Sequence, residues 1–245
     1  MTHTISRRRF LSDAATGVAA ASTIAPLAAA GLSSLEVPRQ RPNVLFLMTD
    51  EQTFQSLSMN GCPYIDTPNM DRIGLEGVSF NNATCVTPYC SPSRASFLTG
   101  QYPHRHDILK NVSPSRQSVQ APLLQDAFPN TESLLLDAGY ATAHRGKWHL
   151  GDDLKLSPNA QGFDEFLGHK VGCIDNYSHF FYWSGPNKHD LWKNTKEHFE
   201  DGEYFPDIMV REAKRFITEN KDRPFFLYLP FNTPHYPLQA EQKFV

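Results

Sequence analysis

The sequence predicts an α/β fold with a largely parallel central sheet and flanking helices, on three observations. Short, continuous apolar runs at residues 43–48 and 225–229 read as strands buried on both faces, the pattern of parallel sheets. Segments of helical period alternate with strand-like runs, giving the order strand, helix, strand, helix, strand. Asp50, Lys147, His149 and His235 each fall just past a predicted strand, where loops at the carboxyl ends of parallel strands gather binding sites.

The elements follow in order. Residues 43–48 form the first strand, entered from Pro42. Thr67 and Pro68 offer an N-cap and a first-turn proline for a helix through Asp71, Arg72 and Leu75, ended by Gly77. Val78, Ser79 and Phe80 alternate like a short strand. Residues 131–138 make a second helix stopped at Gly139, and residues 140–144 a strand. Residues 207–220 place Ile208, Met209, Ala213, Phe216 and Ile217 on one helical face. Residues 225–229 close as another buried strand.

Composition narrows the function classes. The 245 residues are 40% hydrophobic and 20% charged with a net charge of -3, an ordinary globular balance. No basic run follows the first ten residues, so no nucleic-acid partner is expected. Nothing after residue 40 is long and apolar enough to cross a bilayer. Eighteen prolines and fourteen glycines predict long, shaped loops.

The first residues read as an export leader. Ser6-Arg7-Arg8-Arg9-Phe10-Leu11 precedes a mildly apolar stretch at 14–27 and then Ala28-Ala29-Ala30. That order of charge, apolar run and small residues favours a twin-arginine signal over an alanine-rich helix that begins with arginines. Residues 1–36 are assigned to the signal and linker and residues 37–245 to the folded domain. The location expected is periplasmic or secreted, with no membrane span once the signal is removed. With Cys90 set apart, Cys62, Cys85 and Cys173 form an odd set, so at most one disulfide joins them and at least one thiol stays free.

The segment Cys90-Ser91-Pro92-Ser93-Arg94 through Leu98-Thr99-Gly100 holds the chemistry. Pro92 and Ser93 start a helix that Gly100 ends. Cys90 then sits at the helix N-terminus, where unpaired N–H groups and the dipole favour an anion. Arg94, one turn on, adds a positive fork. Physics alone leaves two readings: a reactive thiolate, or a capped helix with a buried thiol and a surface arginine.

Cys-x-Pro-Ser-Arg followed by Leu-Thr-Gly resembles the signature of the type I, formylglycine-dependent sulfatases of the alkaline phosphatase superfamily. Further landmarks resemble the same family: Arg41-Pro42-Asn43, Thr67-Pro68-Asn69-Met70-Asp71, Gly100-Gln101-Tyr102-Pro103-His104-Arg105, Gly146-Lys147-Trp148-His149-Leu150-Gly151 and Thr233-Pro234-His235-Tyr236-Pro237.

The resemblance implies an alkaline-phosphatase/sulfatase-like fold and hydrolysis of sulfate esters. It implies that a formylglycine-generating enzyme converts Cys90 to an aldehyde, which is hydrated to a gem-diol. One hydroxyl attacks sulfur and the alcohol leaves; deprotonation of the other collapses the diol and expels sulfate. Arg94 is implied to stabilise the modified residue. Asp50 resembles the family's first carboxylate for one calcium ion, with the modified Cys90 as a further ligand. Glu51 stands where a second aspartate is commoner, and its longer side chain leaves its role open. Lys147 and His149 match a Lys-x-His pair that touches sulfate and diol. His235 matches a later histidine that assists protonation of the leaving group. His104, Arg105 and His106 gain no comparable role.

The family's remaining metal ligands and a further substrate-binding lysine come from a later region than this chain spans. The chain is therefore expected to be the N-terminal part of a catalytic domain, either a fragment of a longer product or a truncated frame with no activity. A parallel sheet cut partway would expose an edge and part of its core. The substrate expected is a sulfated small molecule or glycan, with sulfated carbohydrate favoured. The alternative on the same scaffold is a phosphate or phosphonate ester. Tyr177, His179, Phe180, Phe181, Tyr182, Trp183 and Trp192 either stack on sugar rings or pack a long loop onto the sheet.

Overall fold

The computed structural model describes residues 41–112, 130–183 and 187–244. The leader at residues 1–36 lies outside them. β1 (Val44–Met48), β8 (Phe225–Pro230), β2 (Ala141–Lys147) and β3 (Glu165–His169) lie side by side in that order, all parallel. β6 (Trp192–Lys193) and β7 (Lys196–Glu197) continue the sheet beyond β3 with antiparallel pairing. A separate hairpin pairs β4 (Phe180–Phe181) with β5 (Lys188–His189). The fold is thus α/β with a mostly parallel sheet.

The helices described are α1 (Pro68–Glu76), α2 (Cys90–Thr99), the single turn α3 (Pro103–His106), α4 (Thr131–Asp137) and α5 (Phe205–Glu219). β8 is buried throughout, and its two-residue side-chain period serves both faces of the sheet. Phe225, Leu227 and Leu229 point to one cluster with Ile208, Met209, Ala213 and Phe216 of α5. Phe226 and Tyr228 join the other with Ala95 and Leu98 of α2, Trp148, Leu150 and Phe163. Each such large apolar side chain contributes about 1.5–3 kcal/mol when fully buried. The core therefore lies on both sides of the strand that separates β1 from β2.

Several expectations change. β1 is an edge strand and is covered on one face only: Phe46 packs toward α2, while Leu45 and Leu47 are 47% and 48% exposed. An apolar run cannot distinguish two-sided from one-sided burial, because the difference lies in what covers the second face. Val78–Phe80 is not a strand; among the described residues no partner strand takes up its backbone groups, and Val78 and Phe80 are exposed. Thr67 precedes α1 but its hydroxyl does not cap the helix. It accepts from Ser58 N–H at 2.9 Å and donates to Asp71 at 2.7 Å, while Ser58 Oγ donates to the same carboxylate at 2.6 Å. Asn130, in contrast, is a true cap, accepting from Ser133 N–H at 2.9 Å to start α4.

β2 also runs three residues further than its apolar pattern, through Lys147, because pairing with β3 continues to the register Lys147–His169. All four cysteines are free, with Cys173 buried and Cys85 exposed.

Candidate active site

Beyond the carboxyl ends of β1, β8 and β2, three segments converge on the first turn of α2. Asp50 follows β1 by two residues, and its N–H donates to Thr233 O at 3.0 Å on the segment leaving β8. Lys147 is the last residue of β2. Gly146 before it has φ 136°, and a Cβ there would lie 2.1 Å from Pro230 O, so only glycine lets β2 and β8 close up at this point.

The side chains form a tight polar cluster. Lys147 Nζ stands 2.5 Å from Asp50 Oδ2 and 3.6 Å from Cys90 Sγ. Arg94 donates to Lys147 O at 3.0 Å, and its other terminal nitrogen lies 3.6 Å from Asp50 Oδ1. Asp50, Arg94 and Lys147 are all buried. Two fixed cations thus face one carboxylate, an excess of positive charge in a low-dielectric site that suits an anionic ligand. Arg94 is neither a surface arginine nor a free fork; both ends of its guanidinium are held by the site itself.

The helix terminus contributes less than its sequence suggests. Ser91 N–H is taken by Asn111 Oδ1 at 3.1 Å, Ser93 N–H by Tyr89 O at 3.0 Å, and Pro92 has no N–H. The local positive charge comes chiefly from Lys147 and Arg94. Residues 111–112 are pinned here, since Val112 N–H also bonds Ser91 Oγ at 3.0 Å.

His149 has the left-handed φ of 60° and is buried. Its Nε2 bonds Val112 O at 3.0 Å, which makes Nε2 the protonated nitrogen and leaves Nδ1 without a partner among the described residues. Burial first, and then the charges of Lys147 and Arg94, hold this imidazole well below its ordinary pKa. It is neutral at pH 7, with a lone pair on Nδ1. Gly172 provides its space: a Cβ there would lie 2.6 Å from His149 Cε1.

His235 is half-buried. One ligand atom each from Asp50, Cys90 and His235 lies within 4.8 Å of the others. Glu51, at φ 63°, turns its exposed carboxylate toward His235 at 3.6 Å and is not part of that cluster. The segment carrying His235 is anchored to the aromatic loop: Asn232 donates to Asn176 at 2.8 Å and Gln239 to Asp175 at 2.6 Å.

The aromatic stretch divides. Phe181 and His179 are buried, whereas Trp183 and Tyr236 are exposed with ring centroids 6.2 Å apart. His106 is structural, its ring held between Ser96 Oγ at 3.0 Å and Ile108 N–H at 3.2 Å. Sequence reading missed Gly172 and Asn111 as site-shaping residues, since neither belongs to a motif readable locally, and it gave Tyr236 no role although that residue stands in the landmark around His235. A groove of about 660 Å³ lined by Phe46, Met48, Cys85, Phe97 and Tyr102 includes none of the clustered polar residues, so it says nothing about the chemistry.

The family model described as Sulfatase matches residues 42–245. The chain is 32% identical over 249 residues to N-acetylgalactosamine-6-sulfatase of Mus musculus, covering 93% of this chain and 46% of that protein. It is 35% identical over 221 residues to N-acetylglucosamine-6-O-sulfatase of Bacteroides thetaiotaomicron, covering 86% of this chain and 34% of the relative. Among solved structures it resembles Ps i-CgsB in complex with k-i-k-neocarrahexaose, with a TM-score of 0.75 and 35% identity over 83% of this chain and 48% of that one. The chain spans less than half the length of each.

Proposed function

The chain belongs to the sulfatase family, and from that premise we propose that the protein carrying it hydrolyses sulfate esters of carbohydrates at the site built on Cys90. The observation that carries this reading is the buried pair of cations, Lys147 and Arg94, set against the single carboxylate of Asp50 beside Cys90. A sulfate ester is an anion that repels nucleophiles, so a site that cleaves it must neutralise charge before the attack.

Cys90 is the residue proposed for conversion to formylglycine by a modifying enzyme. Hydrated, that group supplies one hydroxyl to attack sulfur and a second to expel the sulfate. The Cys90 sulfur marks where those oxygens would stand. Lys147, 3.6 Å away, is placed to bind a sulfate oxygen and stabilise the charge that develops there. His149, neutral and with Nδ1 free, takes a proton at that nitrogen. His235, at the mouth, delivers a proton to the leaving alcohol. Arg94 acts as a positioning residue by holding Asp50 and the Lys147 backbone.

A calcium ion fits this chain in part. Asp50 and an oxygen on modified Cys90 would be hard ligands within reach of one ion, since one ligand atom of each residue lies within 4.8 Å of the other, and calcium takes six to eight oxygens. Asp50 would hold it, and it would polarise a sulfate oxygen.

Carbohydrate is the favoured substrate class because Trp183 and Tyr236 present exposed rings beside His235, and aromatic faces suit sugar rings. The names of the relatives, N-acetylgalactosamine-6-sulfatase and N-acetylglucosamine-6-O-sulfatase, agree with that class. The leader at residues 1–36 supports export after the modification is complete.

Two measurements test the reading on the full-length protein from its native host. Mass spectrometry of the peptide holding Cys90 should find an aldehyde in place of the thiol. Turnover of sulfated oligosaccharides should exceed that of phosphate esters. An unmodified Cys90, or a preference for phosphate, overturns it.

A further inference from the structure

A second convergence of side chains lies away from Cys90, in the segment between β3 and α5. His179 and His189 are both buried, and each ring has one nitrogen committed and one free. His179 Nε2 bonds Glu203 O at 3.1 Å, and its Nδ1 has no hydrogen-bond partner among the described residues. His189 Nδ1 bonds Glu197 Oε1 at 3.1 Å, and its Nε2 is likewise unpartnered. The nearest acid to that Nε2 is the exposed Asp201, with Oδ1 3.9 Å away. One ligand atom from each of His179, His189 and Asp201 lies within 4.8 Å of the others.

The committed nitrogens fix the tautomers. A carbonyl can only accept, so His179 carries its proton on Nε2 and presents a lone pair at Nδ1. Glu197 fixes His189 the opposite way round, leaving the lone pair on Nε2. Two buried ring nitrogens without a hydrogen-bond partner among the described residues therefore belong to histidines that converge with one carboxylate. Leaving such nitrogens unpaired is costly in a folded protein, and a metal ion relieves that cost. Both outer contacts, a backbone carbonyl and a carboxylate, are the kind that orient metal-binding imidazoles.

We propose that His179 Nδ1, His189 Nε2 and the Asp201 carboxylate bind one zinc-type divalent ion, with a fourth position open to water beside exposed Asp201. Two imidazoles and one carboxylate suit zinc far better than calcium, which prefers oxygen alone. Tetrahedral ligands about 2.0–2.1 Å from zinc stand roughly 3.4 Å from one another, so the 3.9 Å gap between His189 and Asp201 needs only a small contraction. The carboxylates of Asp201 and Glu197 neutralise the ion's charge.

The ion would tie together three pieces of chain: His179 before β4, His189 of β5, and Asp201 in the turn that leads to α5. His179 itself has φ 60°, a backbone conformation that the surroundings must hold in place. The same hairpin leads to Trp183, so the site would stiffen the loop that bears it. Its role is structural and separate from the chemistry at Cys90.

The test uses the full-length protein, dialysed against a chelator and then titrated with zinc sulfate. Bound metal is counted by elemental mass spectrometry, and cobalt(II) substitution is followed by visible absorption. One zinc per chain is expected, with a tetrahedral cobalt spectrum. Asp201→Asn, at an exposed position that folding tolerates, should weaken binding at least tenfold, and His189→Gln should abolish it. Cys90→Ala should leave it unchanged. The proposal is overturned if the wild type retains no zinc, or if Asp201→Asn binds as tightly as the wild type. Loss of zinc in Cys90→Ala alone would also overturn it, by placing the ion at the other cluster.

Discussion

Lys147 Nζ stands 2.5 Å from Asp50 Oδ2, although 97 positions separate the two residues in the chain. They stand at the carboxyl ends of strands that are not neighbours in the sheet, Lys147 as the last residue of β2 and Asp50 two residues past β1; β8 lies between, so the pair reaches across its end. Arg94 braces the same carboxylate from α2. One buried anion therefore faces two buried cations, and the consequences of removing each partner differ.

Asp50→Asn leaves Lys147 and Arg94 as two buried like charges without a counter-ion, whereas Lys147→Met leaves Asp50 still paired with Arg94. Loss of one partner of a buried pair costs about 3–5 kcal/mol. Asp50→Asn should therefore lower the melting temperature more than Lys147→Met does. Lys147→Met should still reduce kcat by about 10²–10³, as loss of one preorganised donor does. Thermal denaturation and steady-state kinetics on the same preparations check both. Equal melting temperatures would show that the pair is not the stabilising element described.

Gly172 makes room for the His149 ring, the base proposed above, without touching it through any side chain. A methyl group at Gly172 would sit 2.6 Å from His149 Cε1, and the ring would have to leave its place against Val112 O. Gly172→Ala should lower kcat at least tenfold with little change in KM. It should add nothing further in a His149→Ala background, because the two changes remove one function. A full additional loss in the double variant would contradict the coupling.

Glu132 gives a pH signature independent of the active site. Its carboxylate is buried at the start of α4 with neither oxygen hydrogen-bonded among the described residues, and burial pushes its pKa up to about 8. The folded state thus holds a proton that the unfolded chain releases near pH 4.5, so stability falls as pH rises from there to about 8. At roughly 1.4 kcal/mol for each pKa unit the loss reaches about 3–5 kcal/mol at the upper end. Glu132→Gln keeps the shape and removes the titration. It should raise the melting temperature at pH 8 and leave it nearly unchanged at pH 4; a pH-independent difference would rule out this linkage.

Legibility in the sequence followed the range of the interactions. α5 and β8 could be read from their own periodicity, since Ile208, Met209 and Phe216 mark a face and residues 225–229 are apolar throughout. β3 could not: Glu165, Gly168 and His169 look like loop, and the strand exists because β2 pairs with it. The same holds at the site. Cys90, Arg94, Lys147 and His149 stand in local motifs, and the sequence pointed to each. That Asn111 would occupy the Ser91 N–H and Gly172 would cradle His149 depends on segments brought together by the sheet. His179 looked like part of an aromatic loop, and His189 and Asp201 stood in no motif, for the same reason.

Trp183 offers a way to test the proposed recognition of substrate apart from the proposed chemistry. Its ring is largely exposed and its only described ring contact is with Tyr236, next to His235. Because it packs little against the core, Trp183→Ala should leave the melting temperature within a degree or two. An aromatic contact of about 1 kcal/mol corresponds to roughly a fivefold change in an equilibrium constant. For a sulfated oligosaccharide long enough to reach the ring, Trp183→Ala should raise KM by about that factor with kcat unchanged. For a small aryl sulfate, which ends before the ring, both constants should match the wild type. An equal effect on the two substrates would mean that Trp183 acts on the reacting group through His235, and the aromatic pair would lose its standing as a sugar platform.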